Sequence, residues 1–86
     1  MDFELLEVLF NDAAFRHGID EADMRTALGS YLLDTALANE DNKYLLIGFD
    51  KNGNLIELMY NMIDEHSINV FHAMKCRKEN QKHLGR

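Results

Sequence analysis

Four histidines, His17, His66, His72 and His83, and one cysteine, Cys76, are the side chains here that can exchange a proton or attack an electrophile near neutral pH. Their spacing matches no metal pattern such as His-x3-His or Cys-x2-Cys, so neither a metal site nor a cofactor is expected. Cys76 lies between Lys75 and Arg77, which would lower a thiol pKa, but no histidine stands by sequence to act as its base, and it reads as structural. No glycine-rich phosphate loop exists, since Gly48 and Gly53 fall in a strand and a turn. Anion binding is left to the tail, where Lys75, Arg77, Lys78, Lys82 and Arg86 face the single acid Glu79. That run reads either as a solvated helix of mixed charge or as an edge that grips phosphate or an acidic protein partner.

The groups that position these residues must fit into 86 residues, which is one domain spanning 1–86. Hydrophobic residues make up 47% and charged residues 28%, with no proline, and this excludes a disordered or low-complexity chain. A lone cysteine excludes an internal disulfide framework. No apolar run approaches the roughly 20 residues of a membrane span, and Met1-Asp2-Phe3-Glu4 lacks the positive start of a signal peptide. A small, soluble, intracellular domain is expected. Its net charge of −6 is unevenly spread: residues 1–42 hold ten acids and two bases, whereas residues 43–86 hold seven bases and five acids.

Leu6, Phe10, Ala13, Ala14 and His17 recur at helical spacing and predict an amphipathic helix ending at Gly18. Phe3 to Val8 could instead be a first strand followed by an Asn11-Asp12 cap. Asp20 caps a second helix, Glu21 to Leu28, with Met24, Ala27 and Leu28 inward. Strands are predicted at Tyr31–Leu33, Tyr44–Phe49, Leu55–Ile63 and Ile68–Lys75, with an Asn52-Gly53 hairpin between the second and third. By parity Glu57 shares a face with Leu55, Met59 and Asn61. His72 falls with Ile68, Val70 and Met74, while Lys75 falls with Asn69, Phe71 and Ala73. Arg77 to Leu84 reads as a short terminal helix. The expected fold is α+β, with N-terminal helices packed on a three- to four-stranded antiparallel sheet.

Three stretches together resemble the BrnT-like toxins of bacterial toxin–antitoxin operons. They are Arg16-His17-Gly18-Ile19 before Asp20-Glu21, Tyr44-Leu45-Leu46-Ile47-Gly48 before Asn52-Gly53, and Phe71-His72-Ala73-Met74-Lys75-Cys76-Arg77-Lys78. The resemblance covers roughly residues 9 to 79, and it is strongest to short members ending in a His-Ala-Met-Lys/Arg-x-Arg strand. It implies a RelE-like fold, cleavage of mRNA without a metal, and neutralisation by a small antitoxin in the bacterial cytoplasm, as a homodimer or a toxin–antitoxin heterotetramer. The acidic balance of the chain and the absence of a clear strand pattern over Asp2 to Leu9 depart from the family pattern.

Such cleavage needs a base for the ribose 2′-hydroxyl, cations for the pentacoordinate phosphorus and an acid for the leaving oxygen. The resemblance makes Lys75 and Arg77 the cations, Arg77 with a fork that can clamp phosphate. His72, His66 or His17 would be acid or base, and Glu57 a carboxylate base on the outward face of its strand. Asn69, Phe71, Lys78 and Lys82 would contact RNA, Phe71 by stacking on a base. Plainer roles compete: His72 as a half-buried structural histidine, His17 as a helix-terminal cap, His66 as a solvated turn residue, and Phe71 as a patch covered by the C-terminal helix or an antitoxin. The alternative function is a BrnT-shaped module that binds an antitoxin-like partner but has lost catalysis. Lys75 and Arg77 are expected near the surface, so their joint change to alanine should leave stability within about 1 kcal/mol.

Overall fold

The computed structural model describes residues 2–85; Met1, which begins the expected domain, and Arg86, the last cation of the tail, lie outside the described residues. Five strands form one sheet in the order β1-β5-β4-β3-β2: β1 (Glu7–Phe10), β2 (Leu33–Ala36), β3 (Tyr44–Phe49), β4 (Leu55–Asp64) and β5 (Ser67–Lys75). The pairs β2–β3, β3–β4 and β4–β5 are antiparallel, whereas β1 runs parallel to β5, Glu7 beside Ser67. The sheet is therefore mixed and five-stranded, not the three- to four-stranded antiparallel sheet expected.

The difference arises at the N-terminus. Leu6 and Phe10 satisfy a helical i, i+4 pattern, but with Val8 between them they also satisfy the period of two, and all three pack on the core. The segment resolves as strand β1. Asn11 then ends it, its Oδ1 accepting the Ala13 N–H at 2.9 Å and starting one 3-10 turn, Asp12–Phe15. The full helix of the region is α1 (Glu21–Gly29), capped by Asp20, whose Oδ1 accepts the Asp23 N–H at 2.8 Å. Among the described residues no helix is long and apolar enough to cross a membrane.

α1 lies on one face of the sheet and buries Met24, Ala27 and Leu28 against Leu46, Ile56, Leu58, Ile68, Val70 and Ala73. An aromatic set closes one end of this core. The Phe3 ring meets Tyr31 and Tyr60 edge-on, Tyr44 stacks on Tyr60, and the Tyr60 hydroxyl donates to Asp34 at 2.6 Å. The opposite face carries a smaller core, Leu45, Ile47 and Cys76, over which the C-terminal segment folds with Leu84. That segment is α2 (Lys78–Gln81) followed by a 3-10 turn, Lys82–Leu84, where one short helix was predicted.

β5 contains the irregularity that sets the site. Met59 pairs with His72 and Tyr60 with Val70, so Phe71 is an extra residue opposite no partner, a β-bulge. The bulge reverses the parity of β5 beyond it. Ile68 and Val70 face α1, but His72 and Met74 lie opposite Met59 and Glu57 on the other face.

Gly48 fixes how closely α1 approaches: a Cβ there would lie 2.6 Å from the Ala27 carbonyl oxygen and 3.0 Å from its Cα. Gly48→Ala must lift the helix off β3 and is expected to cost about 1–3 kcal/mol in denaturant unfolding. Gly29→Ala, at the exposed end of the same helix with nothing within 4 Å of the new methyl, should leave stability unchanged or raise it by up to about 1 kcal/mol.

Candidate active site

Glu57 stands on β4 in a cross-strand row with Ile47 on β3 and Met74 on β5, a carboxylate among apolar neighbours. It is fully buried. A carboxylate in that position is tolerated only if its lone pairs are filled. Oε1 accepts the backbone N–H of Arg77 and the Asn80 side-chain amide, both at 2.9 Å. Oε2 accepts Arg77 Nη2 at 2.7 Å and Nε at 3.1 Å, and meets His72 Nε2 at 2.9 Å. Burial alone would push this carboxyl up. The Arg77 guanidinium, the Arg77 N–H, Asn80 and His72 outweigh it, so that the group is held at about 2 against an ordinary 4.5.

An ionised Glu57 can only accept, so His72 must carry its proton on Nε2, and in the neutral ring Nδ1 is then the acceptor. The His72 side chain is 20% exposed and reaches solvent from the sheet rim. Arg77 spends two of its five N–H donors on Glu57 and, with 38% of its side chain exposed, presents the rest outward. The constellation is a buried anion that orients an imidazole and a guanidinium side by side.

The expected site residues divide. Glu57, His72 and Arg77 come together, but Glu57 is not on an outward face: fully buried and saturated with donors, it cannot take a proton from substrate. His72 does not share the Val70 face, because the bulge turns it toward Glu57. Lys75 pairs with Ile56 and so belongs to the α1 face, parted from Arg77 by the sheet plane and not aligned with Asn69 and Phe71 as parity suggested. Asn69 Nδ2 donates to Asn61 at 3.0 Å, and Lys43 Nζ lies 5.9 Å above the Phe71 ring, beside the 41–43 loop. Lys78 and Lys82 are exposed on the C-terminal segment. His66 is an exposed turn residue beside Glu65. Burial, then Glu57, pushes the Cys76 thiol up against the opposing pull of Arg77. Asn80 was missed, although its place one helical turn after Arg77 was visible. Among the described residues no three His, Cys, Asp or Glu side chains gather as a metal-holding group.

No family model matches the sequence, and comparison with curated proteins finds no match. Among solved structures the chain is similar to the 1.1 Å crystal structure of the ribonuclease toxin BrnT of Brucella abortus, with a TM-score of 0.59. The likeness covers 85% of this chain and 99% of that one at 12% identity. The chain thus has a BrnT-like fold, as the three stretches implied.

Removing Arg77 would strand a buried anion, so the near-neutral stability expected of the joint Lys75 and Arg77 change to alanine gives way to a loss of about 3 kcal/mol or more, which Arg77→Ala alone should show in denaturant unfolding. The depressed carboxyl also fixes a pH dependence. The stability that Glu57 contributes, about 3 kcal/mol, is fully present above its unfolded value of 4.5 and is lost as pH falls through about 2. Urea unfolding between pH 6 and 2 should show this acid limb in the parent. Glu57→Gln should be less stable at neutral pH and should lose much of the limb.

Proposed function

We propose that the chain is the RNA-cleaving toxin of a toxin–antitoxin pair. The observation that carries this reading is the His72–Glu57–Arg77 cluster, on the face of the sheet away from α1, in a fold that resembles a ribonuclease toxin. In the proposed reaction Nδ1 of His72 accepts the ribose 2′-hydroxyl proton, while Glu57 steadies the ring from the other side and acts as a positioning residue. Arg77 places its outward donors on the non-bridging phosphate oxygens as charge builds there. Phe71, delivered by the bulge to the same face as His72, offers a ring on which a neighbouring base can stack. Asn69 lies beside it, and Lys43 joins these groups from the 41–43 loop. Lys78 and Lys82 extend the cationic rim along which the RNA backbone runs.

The reaction, so drawn, routes no step through a metal. The partner is a small antitoxin encoded alongside, the assembly a homodimer or a toxin–antitoxin heterotetramer, and the setting the bacterial cytoplasm. A second reading, a catalytically idle module that binds an antitoxin-like partner, draws support from the net charge of −6 and from the engagement of Arg77 by Glu57. Salt separates the two: phosphate contacts make RNA affinity fall steeply as salt rises, whereas the idle module binds a basic partner and no RNA.

Induced alone, the chain should arrest bacterial growth, and the purified protein should cleave single-stranded RNA in the presence of a chelator. His72→Gln, which can keep a hydrogen bond to Glu57 but moves no proton, should slow cleavage about 10²–10⁴-fold with the fold intact. Lys75→Ala, on the other face, should change the rate by no more than about twofold. Growth and RNA left untouched by the parent would sink the toxin reading.

A further inference from the structure

β1 ends at Phe10, opposite Val70, and the last main-chain bond between the two segments runs from the Asn11 N–H to the Val70 carbonyl at 2.8 Å. Beyond Val70 the β1 side of β5 has no strand neighbour among the described residues. The chain turns there through the 3-10 segment Asp12–Phe15 and closes at Gly18, whose φ of +83° and N–H bond to Phe15 shape the bend. This bend lays His17 against His72, ring centroids 5.8 Å apart and edge to face. His17 is exposed, so its ring is open to a ligand that His72 also touches.

We propose that His17 is a second catalytic residue, the general acid that protonates the leaving 5′-oxygen, working with His72 as base across one scissile phosphate. The role rests on the ribonuclease reading above. The roles divide by hydrogen bonding. Glu57 holds Nε2 of His72 as a donor and leaves Nδ1 to accept, whereas His17 is exposed and meets His72 through its ring. Each proton transfer spans about 2.6–3.2 Å, and two imidazoles this close can serve the entering and leaving oxygens of one phosphorus. His72 takes the 2′-hydroxyl proton as the 2′-oxygen bonds to phosphorus. The bond from phosphorus to the 5′-oxygen then breaks, and the proton of the His17 imidazolium passes to that oxygen. The products are a 2′,3′-cyclic phosphate and a 5′-hydroxyl, with His72 charged and His17 neutral until solvent exchanges their protons. No oxidant or co-reactant is required. On the His72 side of the pair stand the Glu57 carboxylate from β4 and, bound to it, the Arg77 guanidinium; Arg16 adjoins His17 in the chain.

Two substrates test the role: an oligoribonucleotide, and the same chain with sulfur in place of the scissile 5′-oxygen. A thiol ionises at about 8.5, so the sulfur leaves without an acid. His17→Ala and His17→Asn should cleave the oxygen substrate about 10²–10⁴-fold more slowly than the parent. Both should cleave the sulfur substrate at close to the parent rate, with unchanged thermal midpoints. On the oxygen substrate the falling alkaline limb of the parent's bell-shaped pH profile should disappear in both variants. Equal slowing on both substrates would assign His17 to binding or structure, and an unchanged rate on the oxygen substrate would remove it from the reaction; either overturns the proposal. A parent inert toward both substrates overturns the ribonuclease reading itself, and this role with it.

Discussion

A carboxylate with no contact with water must be repaid by donors, and the donors of Glu57 come from far along the chain. One anion on β4 holds the first residues after β5 by a backbone N–H, a guanidinium and a helix side chain. It thereby fixes where the C-terminal segment leaves the sheet and how Leu84 comes to cover Leu45 and Ile47. The same anion orients His72. Structural anchoring and site geometry are one interaction here, which is why a fully buried residue can set the positions of two side chains that reach solvent.

The bulge at Phe71 is the second constraint. A regular β5 would send His72 toward α1, into the packed core. One extra residue lets Ile68, Val70 and Ala73 serve that core while Phe71 and His72 both emerge on the opposite side. β1 stops where the bulge begins, and the vacated edge is filled by the turn that carries His17. The aromatic ring, the imidazole pair and the guanidinium therefore depend on where a single strand is interrupted.

Much of the fold was legible in the sequence. α1 with its Asp20 cap, β3 and the hairpin at Asn52-Gly53 follow from capping chemistry, an unbroken apolar run and a turn that needs positive φ at Gly53. β1 was ambiguous because Leu6 and Phe10 fit both periods, and the arbiter, pairing with β5, is not local. The site was half legible. Glu57, His72 and Arg77 were candidates by residue type, yet parity misplaced His72 and aligned Lys75 with Arg77, because a bulge has no signature in an otherwise regular alternation. Burial of Glu57 could not be seen from β4 alone, since it requires residues 77–80 to fold back over it.

The parallel pairing of β1 with β5 joins Glu7 to Ser67, sixty residues apart in the chain. Such a closure is slow relative to the hairpins between β3, β4 and β5, whose contacts are local. On a translating ribosome the middle of the sheet can form while β1 waits for its neighbour to be made. The contacts that link His17, Glu57, His72, Arg77 and Asn80 are complete only after residue 80 has left the exit tunnel. A nascent chain of this sequence carries strands before that cluster exists, and the cluster is completed in one late step.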